Sequence, residues 1–264
     1  MQVLNSRIDL AAYLEKIPRA RERVLMLDYD GTLAPFQVRP ERAVPYPGVA
    51  KLLDELMQYG GTRVIIVSGR RAVDLIPLLT LSQLPEIWGS HGWEHMLPSG
   101  ELKVKAPMDH VQRALQEASD LADEFIRSGG RVEHKPASIA LHWRGLSALS
   151  TAKIRQQAHD VWSRLTRGGA LELLSFDGGL ELRAVECNKQ SAVKAVLAET
   201  AEDSVSAYLG DDMTDEDAFK AVKARGIAVL VRTHYRDTQA DLWIKPPHEL
   251  LAFINHWRVK EKCR

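Results

Sequence analysis

Apolar and polar positions along the chain fall into two alternating patterns. Residues 7 to 17 place Ile8, Ala11, Ala12 and Leu14 to Ile17 at helical spacings, and Pro18 stops the helix. "RVLMLDY" (23 to 29) is too apolar and too short for an exposed helix and predicts a strand buried on both faces. "PGVAKLLDELMQYGG" predicts a helix between Pro47 and Gly60-Gly61, with Val49, Leu52, Leu53, Leu56 and Met57 on its apolar side. "TRVIIVSGR" repeats the strand pattern and "RAVDLIPLL" the helical one. Strand, helix, strand, helix predicts a parallel sheet with right-handed crossovers.

Between about residues 100 and 185 the order changes. A long helix, "MDHVQRALQEASDLADEFIRS", is followed by "RVEHK" and "SIALHWR", a second helix, "ALSTAKIRQQAHDVWSRLT", then "LELLSF" and "LELRAV". Gly-Gly pairs at 129-130, 168-169 and 178-179 suit turns in a small antiparallel sheet carrying two helices. From Lys189 the first pattern returns: helix "KQSAVKAVLAE", strand "SVSAYLG", helix "TDEDAFKAVKAR", strand "GIAVLV" and a last helix "PHELLAFINHWRVK". The expected fold is α/β: a doubly wound, Rossmann-like sheet of about five parallel strands. It takes in 1–100 and 186–264, with 101–185 inserted as a lid-like α/β module.

Composition narrows the partners. The 264 residues are 45% hydrophobic and 27% charged, with 35 basic and 35 acidic side chains, so no bulk field draws nucleic acid or an anionic membrane. No stretch approaches the roughly 18 apolar residues of a membrane span, and the opening residues do not read as a signal peptide. Cys187 and Cys263 make neither a disulfide framework nor a zinc site, and the expected compartment is a reducing cytoplasm.

Ligands of an open parallel sheet bind at the carboxyl ends of its strands. Three predicted strands end in Asp28 to Thr32, in Ser68-Gly69-Arg70, and in Gly210-Asp211-Asp212, and Lys189 opens a helix in the same half of the fold. Two facing aspartate loops, Asp28/Asp30 and Asp211/Asp212, repel one another unless a cation sits between them, and a hard oxygen set favours Mg²⁺ over zinc. Ser68 offers a hydroxyl, the helix after it free N–H groups, and Lys189 a positive charge, which together fit a phosphate. Phosphoryl transfer follows from this set, with Asp28 attacking phosphorus and Asp30 as general acid and base. Each feature also has a plainer reading: D-x-D-G as a strand-ending turn, and "TDED" as a helix start with Thr214 as N-cap and Asp217 completing a capping box. Their joint order at strand ends favours chemistry.

Other motifs fail. "HGWEH" has no Glu beside its first His and is broken by Gly92 and Pro98, so it does not read as a zinc protease site. "DYDGT" and "DDMTDED" lack the ligand positions of an EF-hand loop. GxxxxGK[ST] and GxGxxG are absent, leaving nucleotide binding without support.

"LDYDGTLAPF", "VSGR", "NK" before a helix and "LGDDMTDEDAF", in that order, resemble the four motifs of haloacid-dehalogenase-like phosphatases. With "GSHGWE" between them, the long forms resemble trehalose-6-phosphate phosphatases, over about residues 23 to 245. "VEHKPASIALHWR" resembles that family's cap segment and "LELRAVECNK" its return to the core. The resemblance implies Asp28 as nucleophile and Asp30 as acid/base. Mg²⁺ would be held by the Asp28 carboxylate, the Asp30 carbonyl and Asp211, supported by Asp212 and Asp215. It implies phosphate on Ser68, Gly69 and Lys189, and substrate contacts from Arg70, with Glu133, Lys135, Arg144 and Glu181 on sugar hydroxyls. A site built for hydroxyls rejects ligands that lack them. Arg183 is followed by Ala184 rather than proline, Lys189 by Gln190 rather than glycine, and Glu186 stands where glycine is common. These departures bear on which sugar is taken. The expected activity is Mg²⁺-dependent hydrolysis of trehalose 6-phosphate under a closing cap, in functional pairing with a trehalose-6-phosphate synthase. Another sugar phosphate, of sucrose, glucosylglycerol or mannosylglycerate type, and a non-catalytic sugar-phosphate-binding module are the alternatives.

Overall fold

The computed structural model describes residues 1–59, 61–176 and 178–258. Gly60, Cys263 and the end of the last expected helix lie outside the described residues. The chain divides into two units, 1–102 with 188–264, and 103–187.

The larger unit is a sheet built mainly from consecutive apolar runs. Its first segments are Gln2–Val3 (β1), Leu10–Lys16 (α1), Arg23–Leu27 (β2), Val49–Tyr59 (α2), Thr62–Val67 (β3), Ala72–Leu79 (α3), Glu86–Gly89 (β4), Glu94–Met96 (β5) and Leu102–Val104 (β6). The chain leaves along β6 into the second unit, made of Asp109–Asp120 (α4), Asp123–Arg127 (α5), Arg131–Lys135 (β7), Ser138–His142 (β8), Ala148–Leu165 (α6), Leu171–Phe176 (β9) and Gly179–Ala184 (β10). It returns as Lys189–Glu199 (α7), Val205–Gly210 (β11), Glu216–Val222 (α8), Gly226–Val231 (β12), Leu242–Ile244 (β13) and His248–Asn255 (α9).

The sheet order is β1-β13-β12-β11-β2-β3-β4-β5-β6. From β13 to β4 every pairing is parallel, while β1 pairs antiparallel with β13 and β5 antiparallel with β4. The parallel part has six strands where about five are expected, and β1, β4, β5, β6 and β13 are additions to the runs named in the sequence. Every residue of β2 is buried, because the strand has helices on both faces. Leu25 and Leu27 join a layer with Leu53, Leu56, Leu75, Phe253 and Trp257, whereas Val24 and Met26 join Val193, Val196, Phe219 and Val222. Helices α2, α3 and α9 thus cover one face and α7 and α8 the other. The strand β2 has β11 on one side and β3 on the other, so the loops after these three strands are neighbours at the point where the winding reverses.

The smaller unit is an antiparallel sheet, β7-β8-β10-β9. Ile139, Leu141, Leu180 and Leu182 alternate onto its apolar face, on which α4, α5 and α6 pack. The expected long helix from 108 to 128 is broken in two. Ala122 N–H donates to the Ser119 carbonyl, three residues back, at 2.9 Å, and the tightened turn brings Phe125 edge-on to Trp162 at 5.6 Å. Among the described residues no helix is long and apolar enough to cross a membrane.

Candidate active site

Asp28 is the first residue beyond β2, and its N–H donates to the Leu209 carbonyl of β11 at 2.9 Å, which fixes it at the sheet's carboxyl edge. Its side chain is buried. Lys189 Nζ donates to Asp28 Oδ1 at 2.6 Å and to Asp215 Oδ1 at 2.7 Å, and Thr32 Oγ1 donates to Asp28 Oδ2 at 3.1 Å. Lys189 is the first residue of α7, whose N-cap Asn188 accepts the Ser191 N–H through its side chain. The lysine is thereby aimed into the site instead of into solvent.

Asp28, Asp211 and Asp215 are all buried, and each offers a carboxylate oxygen within 4.8 Å of the others. Asp215 has its acceptor positions filled: Lys189 and the Tyr208 hydroxyl, at 2.6 Å, on Oδ1, and the N–H groups of Asp211 and Asp212 on Oδ2 at 3.1 and 3.0 Å. It orients the lysine and the acidic loop, whereas each Asp28 oxygen takes a single donor and keeps a lone pair to spare. The electrostatics follow. Burial pushes the Asp28 carboxyl up to about 7, with Lys189 opposing. Burial, then Asp28 and Asp215, push Asp211 well above the ordinary carboxylate range. Burial also acts on Asp215, but Lys189 and the donated hydrogen bonds hold it below its usual value. Burial opposes the charge of Lys189, yet Asp215 and Asp28 keep its ammonium above the ordinary lysine value. The raised values of Asp28 and Asp211 mark carboxylates crowded together in a buried place, and although Arg232 Nη1 lies 3.7 Å from Asp211 Oδ2, an all-oxygen donor set of this kind suits a hard divalent cation. A glycine makes room for the Asp211 carboxylate: at Gly31, with φ 84°, a Cβ would fall 2.1 Å from Asp211 Oδ2.

The structure distributes the other expected residues differently. The Asp30 carboxylate stands apart from the cluster, taken by both arms of Arg70, so Arg70 has a carboxylate partner where the resemblance implies a substrate contact. Asp212 Oδ1 accepts the Met213 N–H at 2.8 Å, and Asp215 completes a capping box with it. The cap of this helix start is therefore Asp212 and not Thr214, because a short turn of 3₁₀ helix, Met213–Asp215, precedes α8. Ser68, buried at the end of β3, accepts the Arg70 N–H through Oγ at 3.2 Å. The free helix N–H groups expected after it are not all free: Ala72, which opens α3, donates its N–H to Glu94 Oε2 at 2.6 Å.

In the smaller unit Glu133, Ala140 and Glu181 lie side by side across β7, β8 and β10, on the face away from the helices. Lys135 Nζ and Ser138 Oγ both donate to Glu181 Oε1, at 2.9 and 2.7 Å, and Glu133 Oε2 is paired with His142 Nε2 at 2.8 Å. Arg144 lies just beyond β8, its Nε 3.0 Å from where a Cβ on Gly178 would stand. Glu133, Lys135 and Glu181 therefore share one polar face, with Arg144 beside the β9–β10 turn.

Several participants have no strong sequence signal. Thr32 is readable only from its offset of four from Asp28, and Tyr208 only from the rule that a buried tyrosine needs a partner. Arg236 donates to the carbonyls of Asp211 and Asp212 at 3.2 and 2.7 Å and pairs with Glu216, clasping the acidic loop from 24 residues away in sequence.

A doubly wound sheet with paired aspartates after its central strand, an inserted α/β unit and a lysine between the acidic loops defines the chain as having the fold of the haloacid-dehalogenase-like phosphatases. The model of the trehalose-phosphatase family matches residues 26–244. The chain belongs to that family. It is 34% identical over 220 residues to a trehalose-phosphate phosphatase of Mycobacterium ulcerans, covering 79% of this chain and 53% of that protein. A bifunctional trehalose-6-phosphate synthase/phosphatase of Thermoproteus tenax is 33% identical over 81% of this chain and 29% of its own length. Two further curated relatives are matched over 19% of their length, so the chain spans under a third of these longer proteins. The C-terminal domain of the Candida albicans trehalose-6-phosphate phosphatase superposes with a TM-score of 0.82 over 97% of this chain and 99% of that one, at 18% identity, a likeness of fold.

Proposed function

We propose that this chain hydrolyses the phosphate monoester of trehalose 6-phosphate through an aspartyl-phosphate on Asp28. The observation that carries the reading is the buried Asp28 carboxylate at the end of β2, with Lys189 Nζ 2.6 Å from Oδ1 and Asp211 beside it. Asp28 and Asp211, with the Asp30 carbonyl, would hold Mg²⁺, which when bound supplies positive charge against the phosphoryl oxygens. An Asp28 oxygen attacks phosphorus, the bond from phosphorus to the sugar oxygen breaks, and Asp30 gives that oxygen its proton. Water then attacks phosphorus, yielding a proton to Asp30, and the bond to Asp28 breaks to free the carboxylate and inorganic phosphate. Lys189, Ser68 and the Gly69 backbone hold the phosphoryl oxygens meanwhile.

The sugar roles belong to Glu133, Lys135, Arg144 and Glu181, supported by the polar face that three of them share. The named activity of the Mycobacterium ulcerans relative supports the substrate. The synthase half of the Thermoproteus tenax relative supports a trehalose-6-phosphate synthase as functional partner. A reducing, cytoplasmic setting suits the buried thiol of Cys187, which is in no disulfide.

The test is phosphate release from a panel of sugar phosphates headed by trehalose 6-phosphate, with Mg²⁺ and with EDTA, beside Asp28→Asn. Metal-dependent release confined to trehalose 6-phosphate and lost in the variant is expected. Release from another sugar phosphate keeps the chemistry and replaces the substrate; no release from any refutes the reading.

A further inference from the structure

The stretch Gly89 to Glu94, "GSHGWE", has no part in the chemistry above, yet it holds unusual backbone next to it. Ser90, His91 and Gly92 are consecutive residues in the left-handed region, with φ of 49°, 54° and 95°. For residues other than glycine such conformations are strained and persist only where the surroundings over-determine them. Those surroundings are two loops of the site. On one side the Ser90 N–H donates to the Arg70 carbonyl at 2.7 Å and the His91 N–H to the Ser68 carbonyl at 2.9 Å. The His91 ring covers Gly69 so closely that a Cβ there would stand 2.7 Å from Cε1 and Nε2. On the other side a Cβ on Gly92 would meet Ser191 Oγ at 3.0 Å and the Asn188 carbonyl at 3.4 Å, at the start of the helix that carries Lys189. Behind the turn, buried Glu94 takes the Ala72 N–H at 2.6 Å, and a Cβ on Gly89 would fall 2.5 Å from that nitrogen.

We propose that residues 89–94 form a brace that sets the Ser68-Gly69-Arg70 loop at a fixed spacing from Lys189, with His91 as its positioning residue; this rests on the phosphate-holding role given to that loop above. Ser68 and Lys189 come from different elements, β3 and α7, and a phosphate must meet both. The brace touches the loop of one and the helix start of the other. Its left-handed turn is what lets one short segment face both ways. His91 makes no contact with substrate in this scheme; it keeps the Gly69 backbone where a phosphate can reach it.

The experiment uses the full chain with His91→Gly, which removes the ring and relaxes the backbone, His91→Asn, which tolerates the left-handed conformation, Gly69→Ala, and the Gly69→Ala/His91→Gly double variant. One readout is protection against thermal unfolding by inorganic phosphate with Mg²⁺, which needs no turnover; the other is KM and kcat for p-nitrophenyl phosphate. His91→Gly and Gly69→Ala are each expected to weaken phosphate binding and raise KM about tenfold with kcat changed less than about threefold, a loss of binding shared by ground and transition states. The double variant is expected to be no worse than the poorer single one, since both act through one contact. His91→Asn is expected to recover part of the loss, and melting temperatures without phosphate report whether each variant folds. Wild-type phosphate affinity in His91→Gly, losses that multiply in the double variant, or a wild type that phosphate does not protect would overturn the proposal. If phosphate protects but no sugar phosphate is hydrolysed, the proposed function fails and the brace still stands.

Discussion

Arg70 grips Asp30 with both arms of its guanidinium, Nε on Oδ2 and Nη2 on Oδ1, each at 2.6 Å. The same side chain donates from Nη1 to the Pro40 carbonyl at 3.0 Å and lies 5.7 Å from the centre of the Tyr29 ring, so it is itself held on three sides. In the proposed mechanism Asp30 passes a proton in both directions and so needs a fixed direction, and a planar fork sets one where an ammonium does not.

Arg70→Lys keeps the charge and loses the fork, and Arg70→Ala loses both. The expected result is a fall in kcat of roughly tenfold for the lysine and a hundredfold for the alanine variant, with KM for a small aryl phosphate little changed. Steady-state kinetics on both variants check it. If KM rises in place of a fall in kcat, Arg70 binds substrate and does not orient Asp30.

The parts of this site that could be read in the sequence are those that follow a strand directly. Asp28, Ser68 and Asp211 are each the first residue beyond β2, β3 and β11, so apolar runs with a polar stop locate them, and adjacency of these strands brings them together. Partnerships are a different matter. The Arg70 fork, the four donors on Asp215 and the clasp of Arg236 depend on where side chains point after folding, and no spacing rule encodes them. The strands without a legible pattern are the short ones: β1 has two residues, β4 four, and β5, β6 and β13 three each, too few for a period of two to register. The break between α4 and α5 is hard to read from the sequence, since "ASDLADEF" contains neither Gly nor Pro to mark a stop, and the turn goes with the packing of Phe125 on Trp162.

Glu133 gives a selective prediction about the sugar. Replacing it with alanine removes a carboxylate from the polar face of the smaller unit and leaves Asp28, Lys189 and Asp211 untouched. The expected outcome is a fall of about a hundredfold in kcat/KM for trehalose 6-phosphate and less than about threefold for p-nitrophenyl phosphate. Equal losses on the two substrates would remove Glu133 from sugar recognition.

The same residue predicts a pH dependence of stability. Burial alone would raise its carboxyl, but Lys135 and the hydrogen bond with His142 outweigh it and hold Glu133 down to about 2, against an ordinary 4.5. A folded-state value below the unfolded one gives stability that is present in full above the unfolded value and lost as pH falls through the folded one. Thermal unfolding of wild type and Glu133→Gln should therefore differ most at neutral pH, and the gap should narrow as pH drops from about 4.5 toward about 2. A gap independent of pH would mean that the carboxylate charge contributes nothing to the fold.

The Gly31–Asp211 approach separates metal binding from folding. Gly31 has φ 84°, and a Cβ on it would fall 2.1 Å from Asp211 Oδ2 and 2.4 Å from Cγ. Gly31→Ala therefore places a methyl group where a proposed metal ligand now stands, besides forcing alanine into a left-handed conformation at a cost of roughly 1–2 kcal/mol. Relief by moving the backbone is restricted, because the Gly31 N–H is tied to the Ala34 carbonyl at 2.7 Å and its neighbour Asp30 to Arg70. Relief by rotating Asp211 leaves the fold intact and moves one of the two proposed carboxylate ligands away from the other, Asp28. The expected signature is a melting temperature lowered by a few degrees, of the order that one or two kcal/mol produces in a domain of this size. With it comes a rise of at least about tenfold in the Mg²⁺ concentration that half-saturates aryl phosphatase activity. Titration of activity with Mg²⁺, beside calorimetry of both proteins, measures the two effects separately. If stability falls while the metal dependence stays at the wild-type value, Asp211 does not hold the ion, and its carboxylate has another use.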